Sequence, residues 1–155
     1  MDTKQPDVSG LKSLGDQTVK YSYEYDPSVL ETFDSPTEKS FYVSFDQRGE
    51  FTSLCPKTNQ ADYADIRFLY KPYKKCVESK SLKLYLASYR NEKGFGETIT
   101  NTIADDLAKL LDPDFIVVIG AFKARGGIAW ATEAIRTRHP YVWTPMDLIQ
   151  VEKFR

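Results

Sequence analysis

The run Phe115-Ile-Val-Val-Ile-Gly-Ala-Phe122 restricts the fold more than any other stretch of the chain. Its β-branched and aromatic content is that of a strongly apolar strand. After Arg125-Gly126-Gly127, the run Ile128-Ala-Trp130-Ala-Thr132 can return beside it as a hairpin. Upstream, Phe41-Tyr-Val-Ser-Phe45 and Ala64-Asp-Ile-Arg-Phe-Leu-Tyr70 have the composition of further strands, and the alternation in Tyr21-Ser-Tyr23-Glu-Tyr25 predicts another. Between the two groups of strands the apolar spacing changes. Leu82, Tyr85 or Leu86, and Tyr89 recur every three to four residues, which predicts a helix from Ser79. Ile99, Ile103, Leu107 and Leu110 predict a second, from about Glu97 to Leu111, ended by Asp112-Pro113. Strands, two helices, then strands argue for an α+β fold with a mainly antiparallel sheet and both helices on one face. Residues 1–16 read as a polar N-terminal arm and 17–132 as one domain, while 133–155 form a C-terminal tail that the pattern assigns to no element.

Charge and size exclude several functions. The 155 residues carry 21 basic and 22 acidic side chains, a net charge of −1, so no global field draws the chain to a polyanion. We expect neither nucleic acid nor membrane as a partner. No apolar run approaches the roughly twenty residues of a membrane span, and the expected location is cytoplasmic. His139 is the only histidine, and the two cysteines, Cys55 and Cys76, form no CxxC pair, so a zinc site lacks ligands and no metal is expected. His139 lies in the polar segment Arg136-Thr-Arg-His139-Pro140 and reads as a surface residue.

Chemistry concentrates in Glu50-Phe-Thr-Ser-Leu-Cys55-Pro-Lys-Thr-Asn-Gln-Ala-Asp62. Pro56 pushes Cys55 away from helical backbone and toward a turn, which presents the thiol. Lys57 can stabilise a thiolate, the nucleophilic form. A polar turn separates Cys55 from Asp62, so the chain can fold back and bring sulfur and carboxyl together. Spacing alone favours a small buried cysteine and a turn aspartate.

Other residues suit a nucleotide. Lys80 and Lys83, three apart on the first helix, point the same way, and with Arg125 they suit phosphate oxygens. The same lysines also read as a solvated helix face. Glu97 can accept two hydrogen bonds from the N–H edge of a guanine-like base, with Phe95 stacking on the ring. Equally, a glutamate in a first turn favours the helix dipole. Gly94-Phe-Gly96 lacks the third glycine and the preceding strand of a dinucleotide fingerprint.

Four blocks together resemble the NADPH-dependent nitrile reductases of queuosine biosynthesis, which reduce 7-cyano-7-deazaguanine to 7-aminomethyl-7-deazaguanine. They are residues 50–62, Val77-Glu-Ser-Lys-Ser-Leu-Lys-Leu-Tyr85, Tyr89-Arg-Asn91 with Phe95 and Glu97, and Phe122-Lys-Ala-Arg-Gly-Gly127. The resemblance implies a tunnelling fold whose copies join into rings with active sites between subunits. It implies that Cys55 forms a covalent thioimide with the nitrile and that Asp62 supplies protons. It puts Val77, Glu78, Ser79, Phe95, Gly96 and Glu97 on the substrate side, and Lys80, Lys83 and Arg125 on the NADPH side.

One position departs from that pattern: the family has histidine before the substrate-binding glutamate, where this chain has Gly96, a change expected to widen the pocket. The related amidinotransferases of archaeosine formation, which add ammonia to the same nitrile in RNA, are the second reading. A ring protein that binds the base without turning it over is the third.

Overall fold

Four antiparallel strands in the order β2-β3-β5-β6 make the main sheet of the computed structural model, which describes residues 6–11 and 21–155. They are β2 (Val43–Leu54), β3 (Ala61–Lys71), β5 (Phe115–Arg125) and β6 (Ile128–Thr137). A small two-stranded sheet pairs β1 (Thr32–Asp34) with β4 (Lys75–Val77). The described residues form three α-helices, α1 (Ser79–Ala87) and α2 (Gly96–Leu111), which follow the periodicity, and α3 (Pro145–Phe154) in the tail, which the pattern did not assign. Of the expected arm only residues 6–11 are described, and they form neither helix nor strand; residues 17–20 also lie outside the described residues.

Alternation along the strands sorts the core. Ala64, Ile66, Phe68 and Tyr70 of β3 share one face with Ile116, Val118 and Phe122 of β5, and this face packs on Leu82 and Leu86 of α1 and on Ile99, Ile103 and Leu107 of α2. The residues between them, Leu69, Phe115, Val117 and Ile119, face the other way and are covered by Val151 and Phe154 of α3, together with Tyr141 and Trp143. The continuous apolar run of β5 follows from burial on both faces. Helices therefore cover both faces of the sheet, with α1 and α2 on one side and the tail's α3 on the other. Strand β6 continues to Thr137, five residues past 132.

A buried polar cluster holds α3 down. Asp147, wholly buried, accepts hydrogen bonds from Tyr42 Oη (2.7 Å), Tyr141 Oη (2.7 Å) and the Thr144 N–H (2.8 Å), with the Lys71 ammonium 3.2 Å away. Burial alone would raise its pKa, but the hydrogen bonds from Thr144, Tyr141 and Tyr42 outweigh burial and hold the carboxyl well below the usual range. Because the folded value lies below the unfolded one, this stabilisation is present above the unfolded pKa of about 4 and is lost as pH falls through the depressed value. Asp147→Ala leaves Lys71 with the neutral Tyr141 hydroxyl at 3.2 Å and one more distant carboxylate, Asp114, at 3.8 Å. A loss on the order of 3 kcal/mol is expected, measured by urea unfolding at neutral pH and shrinking as the solution is acidified.

Tyr21–Tyr25 is not a strand. Its alternate tyrosines are claimed by helices rather than by a sheet edge: Tyr25 packs edge-on against Tyr89 at 5.2 Å and donates to Asp106 of α2 at 2.7 Å. Among the described residues no helix is long and apolar enough to cross a membrane, and no group of three or more His, Cys, Asp or Glu side chains could hold a metal ion. His139 is exposed, just beyond β6.

Candidate active site

Cys55 opens the six-residue turn, 55–60, that joins β2 to β3. The turn closes on the cysteine's own backbone: its N–H donates to Gln60 O at 2.9 Å and its carbonyl accepts from Asn59 N–H at 3.0 Å. Asn59 takes the left-handed conformation this needs (φ 56°), which asparagine tolerates better than most residues. The closed turn aims donors at the sulfur. Hydrogen bonds from the Thr58 side chain, then from the Thr58 and Lys57 backbone N–H groups, hold the thiol pKa down to about 6 against the opposing effect of burial, with Arg125 adding to them. Lys57 therefore helps through its backbone N–H, the same device that lowers thiol pKa values at helix N-termini. Cys55 is buried, with 4% exposure.

Asp62 is brought to the same place by strand register. It pairs with Ser53 across β2 and β3, two positions before Cys55. Arg125 joins the two groups: its Nη1 lies 2.8 Å from Asp62 Oδ1, and its guanidinium also helps hold the Cys55 thiol pKa down. Gly126 and Gly127, at φ 60° and 83°, make the β5–β6 turn that lets Arg125 lean back over β3. Arg125, expected on the NADPH side, thus lies beside the thiol and the acid within one chain. The cause is the register shift between Phe122 and Arg125, which spacing cannot reveal. Ser53 is fully buried, its hydroxyl unpartnered, at Asp62's flank.

The start of α2 is fastened to this cluster. Leu54 N–H donates to Glu92 O (2.8 Å) and Gly94 N–H donates to Leu54 O (3.1 Å), so the loop carrying Phe95, Gly96 and Glu97 runs beside the residue preceding Cys55. Phe95 is exposed, as is Glu97, and Gly96 is buried. The expected widening at Gly96 does not occur. A Cβ there would lie 2.7 Å from Phe122 Cε2 and 2.9 Å from Trp130 Nε1, because those two rings stack 5.0 Å apart, 5° from parallel, in the space concerned. Nothing in the sequence marked Trp130, which read only as a strand residue.

The remaining expected site residues lie elsewhere. Val77 N–H donates to Tyr70 Oη at 3.2 Å, and Tyr70 stands eight residues along β3 from Asp62. That is on the order of 27 Å of extended strand. Glu78 is buried, and its carboxylate caps α1, accepting from the Lys80 N–H (2.8 Å) and the Ser81 N–H (2.7 Å). Sequence reading missed this duty, although a carboxylate immediately before a helix is its ordinary signal. Cys76, beside Tyr70, lies at that far end too, beyond the roughly 7 Å Cα separation a disulfide tolerates, and both cysteines are free. Ser79 is exposed and Lys80 half-buried. Lys83 stands between two neighbouring cavities of about 340 and 310 Å³, which share Gln47 and Glu50 along the β2 edge. The first is also lined by Tyr21, Tyr23, Thr52 and Arg90.

Comparison with known proteins follows the same lines. The model of the QueF-like protein family matches residues 61–140. The NADPH-dependent 7-cyano-7-deazaguanine reductase of Bacillus cytotoxicus is 51% identical over 124 residues, covering 79% of this chain and 74% of that one. The protein of that name from Streptococcus mutans serotype c is 49% identical over 125 residues, covering 81% and 77%. That of Alkaliphilus metalliredigens is 49% identical over 123 residues, covering 79% and 74%. The crystal structure of the archaeosine synthase QueF-Like in the apo form superposes with a TM-score of 0.56 at 15% identity, over 67% of this chain and 99% of that one, a likeness of fold alone. With half its residues shared across most of its length with three such reductases, the chain belongs to the QueF-like protein family.

Proposed function

We propose that the protein is an NADPH-dependent 7-cyano-7-deazaguanine reductase, the activity named for relatives that are 51% and 49% identical to it over 79% and 81% of its length. One observation carries the reading to this chain's own atoms: a thiol held near pKa 6 and a carboxylate bridged by one guanidinium. A pKa near 6 keeps Cys55 as a thiolate at neutral pH. The sulfur adds to the nitrile carbon, forming a C–S bond as one C–N π bond breaks, and the nitrogen takes a proton by way of Asp62. The product is a thioimide on Cys55. A nitrile accepts hydride poorly, and covalent catalysis replaces one difficult step by easier ones. Two hydride equivalents and two protons convert nitrile to aminomethyl, and return of the electron pair to sulfur releases the enzyme. Asp62 is the group poised to move those protons.

NADPH supplies hydride when bound. The donor set fits its phosphates: Lys83 is exposed between two adjoining cavities, and Lys80 lies one turn away on the same helix. Lys83→Ala is expected to raise the Michaelis constant for NADPH at least about tenfold, as for loss of a charge-assisted hydrogen bond. The constant for NADH should barely change. Equal effects on the two cofactors would place Lys83 away from the 2′-phosphate.

The site also needs a second copy of the chain. Phe95, Gly96 and Glu97 adjoin Cys55 within one chain, whereas Val77, Glu78 and Ser79 stand at the far end of β3, and a base of ordinary size cannot span that distance. Strands β2 and β6 lie at the two edges of the sheet, where another copy can pair. A ring that brings residues 77–79 of one copy to Cys55 of the next completes the pocket. Stoichiometry tests the function as a whole: two NADPH should be oxidised per nitrile consumed. Adduct formed without NADPH oxidation would exclude the reductase.

A further inference from the structure

Phe122 and Trp130 face each other across β5 and β6 on the side of the sheet that carries Asp62. Phe122 is also the cross-strand partner of Ala64, two residues beyond Asp62 on β3. The stacked pair therefore fills the corner between the acid and the first turn of α2. Its contact with that turn is close: Phe122 Cε2 and Cζ and Trp130 Nε1 all lie within 2.9 Å of the point a side chain on Gly96 would start from. Only glycine fits there, and the absence of a side chain at 96 is matched by the indole that takes its room. Trp130 is half-buried, and its N–H makes no hydrogen bond among the described residues. It stands beside the one residue that separates exposed Phe95 from exposed Glu97. An aromatic ring with an unpaired donor at this position is suited to contact a flat heterocycle held near Phe95 and Glu97.

We propose that Trp130, resting on the reductase reading above, is a substrate-contacting residue that determines specificity. Its indole, backed by Phe122, walls the pocket beside Gly96, and its N–H donates to an acceptor atom of the fused heterocycle held between Phe95 and Glu97. Because the stack fills this corner, the pocket takes a flat base without a bulky substituent at that edge.

Tryptophan emission reads this directly, since the only other tryptophan, Trp143, lies on the opposite face of the sheet, 4.7 Å from Phe115. Titrating the wild-type protein with the nitrile should change the emission saturably, with the midpoint of thioimide formation. Trp130→Phe, which keeps a ring and removes the N–H, should lose this change. It should raise the Michaelis constant for the nitrile about 3- to 10-fold through KM rather than kcat, leaving the KM for NADPH unmoved. A purely structural role would lower the melting temperature without this split. Wild-type emission that ignores saturating nitrile overturns the proposal even if the variant fails to fold, and so does a folded Trp130→Phe with an unaltered KM. A wild-type protein that neither forms the adduct nor oxidises NADPH removes the reductase reading itself. Normal turnover with an indifferent Trp130 removes only the role of the indole.

Discussion

Cys55→Ala is expected to abolish thioimide formation and to lower nitrile reduction by at least about 10³-fold, as loss of a covalent nucleophile does. Nothing nearby can replace the sulfur. The other cysteine, Cys76, lies at the far end of β3, and burial raises its pKa, which disfavours the thiolate there. The turn around Cys55 also predicts a pH dependence. With the thiol held to about 6, adduct formation should rise as pH increases through about 6 and then level off. An unperturbed thiol would still be gaining thiolate near pH 8.5. Thr58→Ala removes the donor of largest effect and should move the midpoint of the profile upward. Stopped-flow absorbance after mixing with the nitrile measures both. A flat profile, or turnover by Cys55→Ala, would contradict the role assigned to the sulfur.

Asp62→Asn is expected to lower steady-state reduction by about 10²- to 10⁴-fold, the usual contribution of a positioned acid–base group. Asparagine is nearly the same shape and can still accept from Arg125, so the hairpin should stay folded. What it cannot do is deliver the protons that accompany each reduction. The adduct should therefore form slowly and persist when NADPH is added, visible as absorbance that fails to decay. An Asp62→Asn variant that consumes NADPH at the wild-type rate would assign the protons to another group.

How far the site was legible in the sequence depends on whether a contact is local or relies on tertiary register. Cys55 and Asp62 share one hairpin, so Pro56 and the polar turn were enough to suggest their meeting. The helices and the β5–β6 hairpin were legible because their apolar spacing is strong. The meeting of Arg125 with Asp62 was not read, because it depends on a strand irregularity between Phe122 and Arg125, which leaves no trace in composition. The opening expected at Gly96 failed for the same reason: the stack that fills it comes from β5 and β6, far along the chain. Tyr21–Tyr25 had the alternation of a strand, but Asp106 and Tyr89 engage Tyr25 and Arg90 engages Tyr23 in place of a sheet edge. The tail resisted reading because the apolar residues of α3 share no single face: Val151 is buried while Met146, Leu148 and Ile149 are exposed. What anchors it is a polar cluster around Asp147 whose members are Tyr42, just before β2, Lys71 of β3 and residues of the tail itself.

The account depends on a covalent bond between this chain and its substrate, and intact-protein mass spectrometry can observe that bond. The protein is mixed with 7-cyano-7-deazaguanine in the absence of NADPH, then digested to locate any added mass. One nitrile per chain, carried by the peptide that contains Cys55 and discharged when NADPH is added, is the predicted result. An unmodified chain under conditions where the nitrile is bound, or a label on any other residue, would contradict it.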